Sequence, residues 1–200
     1  MKKYNWYLIL LLVISFFIRI YRLNSLPLFG DEIDVGYQAY SLLKTGHDYR
    51  GYFLPFYTES LSESRAPLLI YLTIPFIKIF GLNSLAVRLP PLIFGVLSIY
   101  FLYKLVYLLS KSKSLAFLTS GILAISPWHY LYSRSAFEVT LLILLITAAT
   151  YFFYHFIKNN KVSSLFISIL FFGLSFYTYN TANIFVPLMV LYLLFTNWQI

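Results

Sequence analysis

Long apolar runs, each closed within a few residues by a polar or charged connector, constrain this chain more than any other feature. Crossing the hydrocarbon of a bilayer takes roughly 20 apolar residues in a helix. Runs approaching or exceeding that length lie at residues 4–21, 84–109, 115–130, 138–157, 163–179 and 184–198. A soluble domain is about a quarter charged, whereas Asp, Glu, Lys and Arg here make up 11% of the chain and hydrophobic residues 60%. There is too little polar surface to cover those runs in water. The expected fold class is an all-α, polytopic membrane protein with about six transmembrane helices.

The amino terminus, "MKKYNWYLILLLVISFFIRIYR", has the basic start and apolar run of a secretory signal. No small-residue cleavage site follows, so it reads as a retained first span. Residues 67–81, "PLLIYLTIPFIKIFG", are apolar but only 15 long, with Pro75 inside and Lys78 near the end. A helix of that length reaches about 22 Å, short of the hydrocarbon core. Loop charge decides how to treat it. If it does not cross, Lys2, Lys3, Lys111, Lys113, Lys158 and Lys161 all share one side of the membrane. The positive-inside bias makes that side the cytoplasm. Residues 67–81 then form an interfacial or re-entrant helix at the outer surface. Residues 22–83 become one external loop carrying juxtamembrane helices, and 84–200 a helix bundle.

That topology gathers the acids. Asp31, Glu32, Asp34, Asp48, Glu59 and Glu63, six of the seven in the chain, fall in the external loop, and Glu138 opens a span on the same side. Within the loop, Asp34 is placed to cap a helix ending near Thr45 and closed by Gly46. Asp31 and Glu32 would then sit just before it. Val35, Ala39, Leu42 and Leu43 share one face of that helix, which the pattern lays on the bilayer. The net charge of +8 is explained by loop lysines, so nucleic acid is not an expected partner. With no cysteine, disulfide and thiol chemistry are excluded. His47 and His129 lack the spacing of metal ligands.

Asp31-Glu32 fits an ordinary solvated loop pair; at the water–lipid boundary it fits equally a cation site or a general base, because partial desolvation raises proton affinity. The order of features is more specific. A first span is followed by "FGDEIDVGYQAY", which opens a loop with Asp-Glu and places Tyr37 five residues after Glu32. Then come "APLLIYLTIPFIKIFGLNSLAVRLPPLIFGVLSIYFLYKL", "SPWHYLYSRSAFE" and "YTYNTANIFVP". Together these resemble the amino-terminal part of GT-C superfamily membrane glycosyltransferases, in the protein O-mannosyltransferase and lipid A aminoarabinose transferase branch. The resemblance implies a sugar donor on a polyprenyl phosphate and an acceptor hydroxyl or amine on a protein, lipid or glycan. It implies a plasma-membrane location, catalysis on the outer face, and further helices and an outer domain beyond residue 200.

Carried over residue by residue, the resemblance makes Asp31 the general base and Glu32 its companion, orienting the acceptor or holding a charge. Glu138 matches a second acid, often Asp in relatives; a helix-dipole carboxylate or an ion pair with Arg134 is the alternative reading. Arg65, Arg88 and Arg134 are candidates to grip the donor phosphate, since a guanidinium can do so bidentately. Each alone is also explained by snorkelling to lipid head groups. Tyr37 is a further substrate-binding candidate. A divalent cation held by Asp31 and Glu138 is compatible with the resemblance, since some superfamily members use one and others do not. The runner-up is a transporter or scaffold subunit. A coupled transporter would want acids at mid-membrane, and none of the six runs has one there.

Overall fold

The computed structural model describes residues 6–60 and 64–197; Lys2, Lys3, Glu63 and Trp198, which entered the reading above, lie outside them. The described chain is 74% helical. It runs α1 (Trp6–Ile20), α2 (Asp31–Thr45), the short strands β1 (Thr58–Glu59) and β2 (Ser64–Arg65), α3 (Leu68–Phe80), α4 (Ser84–Ser110), α5 (Lys113–Ile125), α6 (Pro127–Tyr132), α7 (Glu138–Asn159), α8 (Val162–Ser175) and α9 (Ala182–Thr196). Two of these, α4 and α7, are long and apolar enough to cross a membrane, and α1, α3, α5, α8 and α9 are shorter apolar helices.

Helix limits follow local chemistry. Asn83 and Ser112 accept the Ala86 and Leu115 amides and so start α4 and α5. Gly46, in the left-handed region at φ 71°, ends α2 as its sequence predicts. The run at 115–130 is two helices rather than one. Ser126 is extended (ψ 122°) before Pro127, which has no N–H to continue α5 and instead begins α6. Residues 67–81 are helical, but Pro75 does not break α3, which continues through it to Phe80. The two-residue antiparallel pairing, Thr58 with Arg65 and Glu59 with Ser64, was not foreseen.

Two expectations about α2 are corrected. The helix begins at Asp31, behind Gly30 at φ 45°, so Asp31 and Glu32 lie within its first turn and Asp34 is not its cap. Its apolar face does not lie on lipid. Val35, Ala39 and Leu42 are buried with Leu69, Ile70 and Ile77 of α3, Ala86 and Val87 of α4, and Leu141, Leu144 and Leu145 of α7. That cluster is the main core, and it seats α2 and α3 on the α4–α7 pair.

The bundle has two chemically distinct ends. At one, Arg134 donates to the Tyr21 carbonyl at the end of α1 (2.8 Å), and the Leu68 amide donates to the Tyr177 carbonyl after α8 (3.0 Å). Glu32 of α2 meets Arg88 of α4 at this end too. At the other, Lys158 of α7 donates to the Leu108 carbonyl of α4, beside the Lys111 and Lys113 turn. Four acids (Asp31, Glu32, Asp34 and Glu138) mark the first end and lysines the second.

Candidate active site

Two helix amino termini converge at the acidic end. Asp31 and Asp34 occupy the first turn of α2 and Glu138 the first turn of α7, positions where the helix dipole favours a carboxylate. Arg65, carried on β2, reaches between them. It is ion-paired to Asp31, and its Nη1 lies 3.8 Å from Asp34 Oδ2 and 3.9 Å from Glu138 Oε1. The side chains of Arg65, Asp34 and Glu138 are 10%, 13% and 12% exposed, against 45% for Asp31. Asp31 is therefore the most exposed of the three carboxylates.

Asp31, Arg65 and Glu138 line a cavity of about 270 Å³. Tyr132 and Phe137, with ring centroids 5.1 Å apart, give it an aromatic side. Thr178, Tyr179, Asn180 and Thr181, in and around the α8–α9 turn, contribute hydroxyls and an amide. Aromatic faces combined with hydrogen-bonding groups suit a ligand having both C–H and O–H surfaces.

Charge reinforces the arrangement. With all three carboxylates ionised, Arg65 balances only one of three negative charges. Burial raises the Asp34 pKa above the ordinary aspartate value, and the Arg65 charge offsets this only in part. For Arg65, burial acts to lower the pKa, but the hydrogen bond it donates to Asp31 and the charges of Glu138, Asp31 and Asp34 outweigh it. The net shift is upward, and Arg65 stays a cation.

Other residues picked from the sequence lie elsewhere. Glu32, expected beside Asp31, is fully buried. It takes Arg88 Nε on Oε1 (2.8 Å) and Nη2 on Oε2 (2.6 Å), and Oε1 also accepts the Ala136 amide at 3.1 Å. The remaining Arg88 N–H groups go to the carbonyls of Leu23, Leu26 and Pro27, at 2.9, 2.9 and 3.0 Å. All five guanidinium hydrogens are thus used internally, and neither residue lines the cavity. Arg134 is spent on the Tyr130 hydroxyl and the Tyr21 and Arg22 carbonyls, not on Glu138. Tyr37 is exposed and lies tilted against Tyr49, with centroids 6.3 Å apart. His129 is buried between Arg19 (3.1 Å) and Ser98 (2.9 Å), and His47 bonds the Thr45 carbonyl.

Among the described residues no group of three or more His, Cys, Asp or Glu is arranged to hold a metal ion. The cation that Asp31 and Glu138 share is the Arg65 guanidinium, so this pair does not fit a divalent ion as it stands. Sequence reasoning missed Asp34 as a third carboxylate, having assigned it to a cap. It also missed the cavity wall, although Tyr132 and Phe137 belong to "SPWHYLYSRSAFE" and Thr178–Thr181 to "YTYNTANIFVP".

Compared with known families, residues 64–200 match the dolichyl-phosphate-mannose-protein mannosyltransferase family. The matched region includes Arg65 and Glu138 and begins after Asp31. Neither curated proteins nor solved structures gave a match.

Proposed function

The chain belongs to the dolichyl-phosphate-mannose-protein mannosyltransferase family, and from that premise we propose that it moves a sugar from a polyprenyl phosphate to a polypeptide hydroxyl at the outer face of a cell membrane, with Asp31 as general base. Membership makes it a membrane glycosyltransferase with a lipid-linked donor. The observation that carries the finer reading is the shared Arg65. It joins Asp31 to Glu138 at the cavity, and of the three arginines considered it is the one whose charge faces that space.

The chemistry is a single displacement. The acceptor oxygen attacks the anomeric carbon as Asp31 removes its proton, and the bond from that carbon to the phosphate oxygen breaks. The phosphate leaves with the electron pair, and the configuration inverts. Arg65 has two roles. Before the donor arrives it pairs with Asp31; once the donor's phosphate enters, the guanidinium turns its planar fork to the phosphate oxygens and Asp31 is freed to work as a base. Glu138 keeps Arg65 oriented and lies close enough to position the acceptor. Neither role requires Glu32, Arg88 or Arg134.

Arg65→Lys tests the phosphate role. It keeps the charge but loses the planar fork, so binding of the polyprenyl phosphate donor should weaken about tenfold with the melting temperature nearly unchanged. Unaltered donor affinity would detach Arg65 from the phosphate.

Orientation is tested separately. Six transmembrane segments, a cytoplasmic amino terminus and the acidic end outside place Ser112, in the lysine turn, in the cytoplasm. The chain has no cysteine, so Ser112→Cys gives a single site. An impermeant thiol reagent should label it only after the membrane is opened. Labelling in intact cells would invert the topology.

A further inference from the structure

At the lysine end, away from the acidic cavity, α1 and α5 flank a mainly apolar groove of about 1080 Å³. Trp6 and Tyr7 of α1 and Phe117, Leu118, Ile122 and Ile125 of α5 form its walls, and Lys113 and Ser114 stand at its polar end. The two helices meet edge-on at Tyr7 and Phe117, with ring centroids 6.5 Å apart. At the far end Arg19 ties them by donating to the Ala124 carbonyl at 2.9 Å. Beside these contacts the groove is open. Gly121 lines it, and a Cβ there would meet nothing within 4 Å. Trp6, Tyr7 and Ile125 are 68%, 70% and 78% exposed, so no other described part of the chain covers them.

Length and charge select the occupant. The groove follows α5 from Lys113 to Ile125, about 18 Å at the helical rise. One leaflet of a bilayer's hydrocarbon core is about 15 Å deep, so an acyl chain entering at Lys113 can run the whole length. The volume exceeds the roughly 300–1,000 Å³ of small-molecule sites. Among the described residues, neither Lys111 nor Lys113 forms an ion pair. On the topology proposed above, this end faces the cytoplasm, where the leaflet is anionic. A further span packed here would bring its own Lys or Arg to that side and set like charges against Lys113. A phosphate head group brings the opposite charge. We infer that the groove binds one anionic phospholipid of the cytoplasmic leaflet, with its phosphate at Lys113 and Ser114 and an acyl chain along α5. This lipid is not the sugar donor, since it lies at the opposite end from Asp31. It joins α1 to α5 over the stretch that the protein itself leaves open.

Trp6 supplies the probe. The chain has three tryptophans, so Trp128→Phe/Trp198→Phe leaves Trp6 alone to report. In phosphatidylcholine nanodiscs containing a minor share of brominated phosphatidylglycerol, quenching of Trp6 should show that lipid enriched about fivefold over its bulk share, the effect of one lysine at a membrane surface. Lys113→Gln should return it to the bulk share. Gly121→Leu, which fills the groove where there is room for a side chain, should do the same. Lys161→Gln, at the same end but outside the groove, should change nothing. Native mass spectrometry, which needs no tryptophan removed, should find one phosphatidylglycerol retained by the parent and none by Gly121→Leu. Equal quenching by brominated phosphatidylglycerol and brominated phosphatidylcholine would overturn the site. So would enrichment that survives Gly121→Leu, or that Lys161→Gln lowers as much as Lys113→Gln. Trp6 shielded from every lipid would show that protein covers the groove, and would overturn it too. Both leaflets of a nanodisc share one composition, so these results stand apart from orientation, which the Ser112→Cys labelling decides.

Discussion

Asp31→Asn should lower sugar transfer by about 10²–10⁴-fold, the usual cost of losing a general base, while the protein still inserts, folds and binds its lipid donor. Asparagine is nearly isosteric and still accepts a hydrogen bond from Arg65, so the arginine stays between α2 and α7. What it cannot do is take the acceptor's proton. The prediction is sharpened by exposure. Asp31 is 45% exposed, whereas Asp34 and Glu138 are 13% and 12% exposed. A substitute base would have to come from a buried group already facing the same guanidinium. The assay is single-turnover transfer from a labelled polyprenyl-phosphate sugar, alongside an equilibrium measurement of donor binding. Near-parental turnover would take Asp31 out of the mechanism. Lost donor binding with intact folding would reassign it to substrate recognition.

The neighbouring carboxylate should behave oppositely. Removing Arg88 as Arg88→Met leaves Glu32 buried without its counter-charge, and breaking such a pair costs about 3–5 kcal/mol. The Leu23, Leu26 and Pro27 carbonyls lose their donor in the same change. The variant should accumulate poorly and melt far below the parent in detergent. Glu32→Gln should be milder, because the amide oxygen can still accept from Arg88 and from the Ala136 amide. Combining Arg88→Met with Glu32→Gln should recover part of the loss, since no charge is then stranded. Thermal unfolding of the four proteins completes the cycle. If Arg88→Met melted within a degree or two of the parent, the buried pair would not hold the loop.

Two adjacent acids with such different fates show where the sequence could and could not be read. The apolar runs were legible because hydrophobic length is a strong local signal; α1, α4, α7, α8 and α9 each fall within a few residues of one of them. Gly46 was legible for the same kind of reason, a local backbone requirement. Asp31-Glu32 read as a loop pair, which would leave both acids at one site. Inside a helix of 3.6 residues per turn, neighbouring side chains diverge by about 100°, so Asp31 faces the cavity and Glu32 the core. The direction of the α2 apolar face was not legible at all. Packing against α3 and α4 and lying on lipid both demand the same apolar residues. Three of the residues singled out, Asp31, Glu138 and Arg65, meet at one cavity. Which of several arginines would arrive there depended on a two-residue strand pairing, too short to leave any periodic trace.

The Glu32 carboxylate also sets the order in which this protein can be completed during synthesis. Arg88 lies 56 residues further along the chain and the Ala136 amide 104 residues further. At about 5–20 residues per second, the loop after α1 waits on the order of ten seconds before its last partner emerges. Throughout that interval an ionised Glu32 is stable only in water, so the loop must stay outside the bilayer until α4 and the start of α7 are available to receive it. Insertion of the first helix and closure of the acidic end are therefore separate events in the life of the nascent chain.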